Sequence, residues 1–210
     1  ERNLISGNDT RGVYLSDSNN NTVQGNYIGT NAAGNSAIGN INAGVRISGT
    51  STGNTIGGTA AGSHNVISGN ADGIYIQDIG TTGNTIQGNY IGTDATGLLD
   101  LGNLDRGIQL ENNTSANTIG GTTAAERNII SGNDTDGIII SNGATDNIIQ
   151  GNYIGLGVDG TTAVGNGNNG VRITTPDDNL IGGAAAGAGN VIANSGGDGI
   201  NISSGVDNSI

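Results

Sequence analysis

The sequence predicts an all-β solenoid, a rod of short parallel strands wound coil upon coil. Three observations carry that reading. The first is self-similarity at a shift of about 63 residues: Asn3-Leu4-Ile5-Ser6-Gly7-Asn8 returns at Asn65, at Asn128 and, weakened, at Asn190. Within the same period, Gln24-Gly25-Asn26-Tyr27-Ile28-Gly29 returns at Gln87 and Gln150. The second is a Gly-(Val/Ile)-x-(Leu/Ile) motif found seven times, at Gly12, Gly44, Gly73, Gly107, Gly137, Gly170 and Gly199. The third is an Asn-(Thr)-(Ile/Val) motif at Asn21, Asn54, Asn84, Asn117, Asn147, Asn179 and Asn208, spaced by 33, 30, 33, 30, 32 and 29 residues. A long internal period marks stacked units that cannot bury an apolar face alone. The alternating spacings resolve the 63-residue superrepeat into one long and one short coil. Residues 1–210 then form a single segment of about 6–7 coils of 29–33 residues.

Each element of a coil has a local cause. The Gly-(Val/Ile)-x-(Leu/Ile) segments alternate as short strands, with positions two and four inward and position three outward. The Asn-(Thr)-(Ile/Val) segments share that alternation and open each unit. In short coils the middle strand falls at Asn65–Gly69. In long coils it falls either at Asn26–Gly29 or at Ala37–Asn40, and the choice decides which loop carries the extra length. Hairpins are a poor solution, because Asn-Gly occurs only at Asn142, Asn166 and Asn169 and the motifs repeat without reversal. About three strands per coil, stacked at roughly 4.8 Å, make a rod of roughly 30 Å.

Composition agrees. Glycine supplies 41 of 210 residues, asparagine is almost as abundant, and Phe, Trp, Met and Cys are absent. A core without those residues is filled by Ile, Val, Leu and Ala, which suits a narrow cross-section of constant size. The formal charge is −12, and all six basic residues are Arg. That argues against sequence-independent nucleic-acid binding, which needs many cations to displace counterions, and against anionic membrane surfaces. Without Cys there is no disulfide framework or thiolate metal site. The longest aliphatic run, Ile138-Ile139-Ile140, is far too short to cross a bilayer. The chain starts at Glu1 inside one repeat and stops at Ile210 inside another, which reads as a processed or excised piece of something longer.

Asn-Thr-Ile-Gly-Gly-Thr at Asn54 and Asn117, Asn-Val-Ile-Ser-Gly-Asn at Asn65, and Gln-Gly-Asn-Tyr-Ile-Gly-Thr at Gln24 and Gln87 resemble repeats of very large secreted or surface proteins of bacteria. The whole pattern resembles the right-handed parallel β-helix repeat (pectate-lyase-like) family. The resemblance implies right-handed crossovers, in line with the general chirality of parallel connections, and an extracellular or cell-surface setting. It implies no single activity, because such folds host enzymes, adhesins and stalks alike. Pectinolytic hydrolases of this fold carry clustered Asp with a Gly-His-Gly and an Arg-x-Lys, and no such partners occur here. The lyases need a Ca²⁺-binding Asp cluster with a basic residue beside it, and no acidic cluster aligns with Arg46 or Arg172.

Stacking turns equivalent positions into columns. The inward column Asn21, Asn54, Asn84, Asn117, Asn147, Asn179 and Asn208 reads as a structural ladder, each amide bonding to the coils above and below. The outward column Thr22, Thr55, Thr85, Thr118 resembles an ice-binding rank but turns apolar at Ile148 and Leu180, and threonine is a good strand residue in any case. The outward position of the glycine motif runs Tyr14, Arg46, Tyr75, which places one Arg between two rings as a surface stripe able to bind sugars. Just before those glycines, Asp72, Arg106 and Asp136 form a charge ladder that pins register and adds little at a wet surface. Tyr27, Tyr90 and Tyr153 lie 63 apart and so skip alternate coils.

Signs of catalysis are sparse. His64 sits in a short-coil turn whose equivalents are Arg127 and Gly189, and no third group orients it. Asp177-Asp178 is the only adjacent acidic pair. Asp134 and Asp136, like Asp72 and Asp198, precede glycines, which makes Ca²⁺ a minor alternative to ordinary turn chemistry. No other cofactor is expected. The chain therefore reads as a structural solenoid rather than an enzyme: a stalk, adhesin shaft or filament subunit of a bacterial surface protein. Its partners would be a continuation of the same solenoid or further copies of itself, with glycans second, and neither nucleic acid nor a membrane interior. A polysaccharide-binding or polysaccharide-degrading helix is the rival reading, and an ice-binding solenoid the third.

Overall fold

The computed structural model describes residues 2–210, which form twenty short strands and no helix. In the first coil these are β1 (Leu4–Ile5), β2 (Val13–Ser16) and β3 (Thr22–Val23), after which β4 (Tyr27–Ile28) returns to stack on β1. Repetition of that step builds a β-solenoid of about six turns with three parallel sheets. A seven-stranded sheet carries the middle strands, a second seven-stranded sheet the glycine motifs, and a six-stranded sheet the asparagine motifs.

Register within each sheet is residue for residue, except for a bulge in the last glycine-motif strand, where Thr174 pairs with Ser204. In the glycine-motif sheet Val13, Val45, Ile74, Ile108, Ile138, Val171 and Ile200 form one inward column. Leu15, Ile47, Ile76, Leu110, Ile140 and Ile173 form a second, parallel to the first. The middle strands contribute Ile5, Ile28, Ile67, Ile91, Ile130, Ile154 and Ile192. The asparagine-motif sheet contributes Val23, Ile56, Ile86, Ile119, Ile149 and Ile181. These four columns are the core, and the interior coils bury them completely or nearly so. Each buried Ile contributes roughly 1.5–3 kcal/mol relative to exposure.

The motif glycines are required by the space they leave. A Cβ on Gly73 would collide with the Gly107 carbonyl oxygen and lie 2.8 Å from the Ile91 methyl. Any larger residue there would push successive coils apart.

Long and short coils differ in where they place a loop. The long-coil middle strand is the Asn26–Gly29 segment, since Tyr27 and Ile28 pair with Val66 and Ile67 of the next coil. The Ala37–Asn40 alternative instead returns along a small antiparallel excursion, bridged at Thr30–Ala37 and repeated at Thr93–Asp100 and Leu156–Ala163. Reversal therefore does occur, once in each long coil, without any Asn-Gly turn. Short coils place their extra residues before the middle strand, in the stretches 58–64 and 121–127. The excursions stack on one another across two coils, Ala95 N–H donating to Gly34 O at 2.8 Å and Val158 N–H to Gly97 O at 2.9 Å.

Three asparagine ladders run along the axis. In the first, the N–H and Nδ2 of Asn54 donate to Asn84 Oδ1 at 3.0 and 2.9 Å, and the pattern continues from Asn21 to Asn208. A second ladder passes through Asn3, Asn26, Asn65, Asn89, Asn128, Asn152 and Asn190. A third joins Asn8, Asn40, Asn70, Asn103, Asn133 and Asn166. Only the first stands out as a single-residue column in the sequence; the other two draw on the ends of the Asn-Val-Ile-Ser-Gly-Asn repeat in alternate coils, and in the coils between on the Gln-Gly-Asn-Tyr-Ile-Gly motif and on the asparagine that follows each excursion.

Asn84→Ala removes the acceptor for two donors of Asn54, and it strips the Nδ2 donor from Asn117 Oδ1 and the Ser51 carbonyl, which keep only the N–H groups of residue 84 and Thr82. The expected loss is about 3 kcal/mol, measured by urea unfolding. Asn21→Ala at the exposed end coil should cost no more than about 1 kcal/mol, and an equal effect at both positions would refute the burial argument.

Candidate functional site

Two outer faces gather side chains with chemistry. The first is the glycine-motif sheet, where strand pairing aligns Tyr14, Arg46, Tyr75, Gln109, Ile139 and Arg172 in one outward column. The Arg46 guanidinium lies 5.9 Å from the Tyr14 ring centre and 5.0 Å from that of Tyr75. Arg11 covers Tyr14 from the preceding turn at 4.6 Å. Tyr14 is 50% exposed. Hydrogen bonds from Ser16 and then Ser48, helped by Arg46 and Arg11, hold its phenol below the ordinary range. Tyr75 is pushed the other way, first by burial and then by its hydrogen bond to the Glu111 carboxylate.

Beside that column the charges do not pair as a single ladder. Arg106 Nη1 approaches Asp72 Oδ1 only to 3.7 Å and sits 2.8 Å from its chain neighbour Asp105. Asp136, whose side chain is 1% exposed, lies 2.9 Å from Arg172 Nε instead, one coil further on. It also accepts from Asn168 Nδ2 and from both the N–H and Nδ2 of Asn169. The reason is reach: the outward strand residue Arg172 extends back over Asp136, while Arg106 is drawn to Asp105. Burial and then the Asp105 charge raise the Asp72 carboxyl above its usual range, with Arg106 opposing. Among the described residues no three His, Asp or Glu side chains converge as a metal ion requires.

The second face is the outside of the middle-strand sheet, where Leu4, Tyr27, Val66, Tyr90, Ile129, Tyr153 and Val191 alternate ring and aliphatic. Tyr27, Tyr90 and Tyr153 thus skip alternate coils. Each is covered by a planar side chain from the turn one coil earlier. Arg2 lies 3.9 Å from the Tyr27 ring centre, Arg127 4.0 Å from that of Tyr153, and His64 stacks on Tyr90 at 4.9 Å with 28° between planes. His64, expected to be an unframed turn residue, is therefore one rung of a repeating pair. Sequence reasoning misses the pair, although the covering residues and the tyrosines share the superrepeat period. An open cleft of about 370 Å³ lies between stretches 58–62 and 124–125, lined by Tyr90, His64 and Arg127. It exists because the intervening coil crosses that corner with only Gln87-Gly88-Asn89.

On the third face the outward threonines Thr22, Thr55, Thr85 and Thr118 stack in register and give way to Ile148 and Leu180. A second rank, Thr52, Thr82, Ser115 and Thr145, runs alongside.

Compared with protein-family models, curated proteins and solved structures, the chain matches none. The resemblance to the pectate-lyase-like family rests on the repeat motifs, and what the architecture supplies is a parallel β-solenoid with stacked coils.

His64 is half-buried, and burial, with a contribution from Arg2, holds its imidazole below the usual 6.5. The unfolded chain then binds that proton more tightly, so stability is full above pH 6.5 and falls as pH drops through the lowered folded value. His64→Gln should flatten the urea-midpoint profile between about pH 7 and 5, and an unchanged slope would remove His64 as its cause. Tyr90→Ala should cost about 3 kcal/mol, since it removes both a half-buried ring and the stack.

Proposed function

We propose that the chain is a stretch of shaft in an extracellular surface protein of bacteria, a spacer that holds other parts at a distance. The observation that carries this reading is continuity. Three asparagine ladders and four aliphatic columns run from coil to coil, so axial force is shared by hydrogen bonds at every corner. A net charge of −12 adds solubility and discourages lateral clumping of neighbouring rods. The motif resemblance to large secreted or surface proteins supplies the cellular setting.

A second reading has one observation in its favour. Tyr14, half exposed and flanked by Arg11 and Arg46, presents a ring with cations on either side, a combination suited to a sugar carrying an acidic group. On this reading the shaft also grips glycans along its glycine-motif face.

Electron microscopy and small-angle scattering of the purified chain should show rigid rods roughly 30 Å long. Protease treatment of intact source cells should release the segment, while fully protected material would sink the surface assignment. A glycan array separates the two readings. Binding that Tyr14→Ala weakens at least tenfold supports the second, and a blank array leaves the shaft alone.

A further inference from the structure

We propose that the Asn142-Gly143 turn is a site of covalent self-modification, where the folded chain converts one asparagine amide into a carboxylate beside Glu111. The site lies on a lateral turn of an interior coil, and it does not depend on the shaft reading.

Three Asn-Gly pairs occur in the chain, at Asn142, Asn166 and Asn169. In such a pair the glycine nitrogen can attack the side-chain amide carbon of the asparagine, because glycine carries no side chain to screen it. A new N–Cγ bond closes a five-membered imide, the old Cγ–Nδ2 bond breaks, and ammonia leaves with the proton from the glycine nitrogen. Water then opens the ring at either carbonyl. One opening gives aspartate, and the other reroutes the main chain through the side-chain carbon and gives isoaspartate. Water is the only co-reactant. An intramolecular attack of this kind needs a free nitrogen and a side chain able to swing onto it.

The structure separates the three pairs. The Gly167 N–H donates to Asn133 O at 2.8 Å and the Gly170 N–H to Asp198 O at 2.9 Å. Asn166 and Asn169 are both buried. Asn166 Oδ1 takes both donors of Asn133, and its Nδ2 donates to Ile130 O. Asn169 Oδ1 accepts the Asp198 N–H, while its Nδ2 donates to Asp136. Nucleophile and amide are thus both engaged at these two pairs, and reaction there waits on local opening of the coil.

Asn142 follows the strand Ile138–Ser141 in an exposed turn, with φ at +49° and then +78° at Gly143. The Gly143 N–H has no acceptor among the described residues, and Asn142 Oδ1 receives no donor there. The side chain is tied by a single bond, from Nδ2 to Glu111 Oε2 at 3.2 Å. Glu111 also accepts from Tyr75, Gln109 and Asn112. Conversion therefore replaces a donor to Glu111 by a second anion. The isoaspartate product also lengthens a turn whose Asn142 carbonyl accepts the Asn113 N–H at 3.1 Å.

The test holds the folded chain in warm, mildly alkaline buffer, then unfolds it and cuts it with trypsin. Cleavage after Arg127 and Arg172 releases all three pairs in one fragment, since no other basic residue lies between them. Tandem mass spectrometry locates each converted amide, and an isoaspartate-specific methyltransferase counts the isomer. Asn142 should convert at least tenfold faster than Asn166 or Asn169, and the three rates should draw together in urea. Asn142→Gln keeps the amide and the glycine but needs a larger ring, and should suppress conversion there at least tenfold. It also avoids a Cβ at Gly143, which would collide with Asn113 Oδ1. Asn142→Asp should lower the urea midpoint at low salt and less so at high salt, as like charges require. A folded chain whose Asn142 stays intact, or converts no faster than the buried pairs, would overturn the site. An Asn142→Asp chain with the parent midpoint at low salt would overturn the placing of the new charge against Glu111.

Discussion

The structure depends on one hydrogen-bond relay, an asparagine amide passed to the asparagine of the next coil. A narrow solenoid cannot turn a corner without pointing backbone N–H groups and carbonyls into its interior. Those groups need partners inside the rod, because no water reaches them there. Asparagine carries both an acceptor and two donors on a short stem. Asn89 illustrates the solution. Its Oδ1 takes the Asn65 donors, while its Nδ2 serves Asn128 Oδ1 and the carbonyls of Ile56 and Gln87. A ladder of this kind satisfies a corner and sets the spacing between coils in the same act. The aliphatic columns then need only fill space, which explains why Ile, Val and Leu suffice without one Phe or Met.

With the interior occupied by one repeating solution, variation moves outward. The three faces differ because their loops differ. The glycine-motif face has tight turns and leaves the first part of its column open, so Tyr14 and Arg46 meet solvent while Gln109 and Ile139 further along are buried. The middle-strand face is hemmed by excursions on one side and by the 58–64 and 121–127 stretches on the other. Those loops alternate, giving that face a period of two coils while the interior keeps a period of one. The stacked pairs Arg2–Tyr27, His64–Tyr90 and Arg127–Tyr153 share that doubled period.

Much of this architecture is legible in the amino-acid sequence. The fold class, the coil lengths and the first asparagine column follow from spacing alone, because a solenoid copies its period directly into three dimensions. The Tyr14–Arg46–Tyr75 column is legible for the same reason, as equivalent positions in adjacent coils must stack. Contacts between positions that are not equivalent escape such reasoning. His64 and Tyr90 belong to different motifs, and their meeting depends on how a turn folds back over the following coil. Asp136 is the same case, since the length and direction of the Arg172 side chain assigned it a partner outside its own column.

The sequence by itself therefore determined the period, the glycine-motif and asparagine-motif strands with their inward columns, and the first of the three asparagine corners. These are properties of a one-dimensional repeat, and nearest-neighbour stacking transmits them without further information. Only the tertiary structure decided that Asn26–Gly29 is the long-coil middle strand, that each long coil carries one reversed excursion, and that Tyr90 has a histidine over its ring. Those features arise in loops that leave the repeat, where chain length permits several paths and packing against the neighbouring coil selects one.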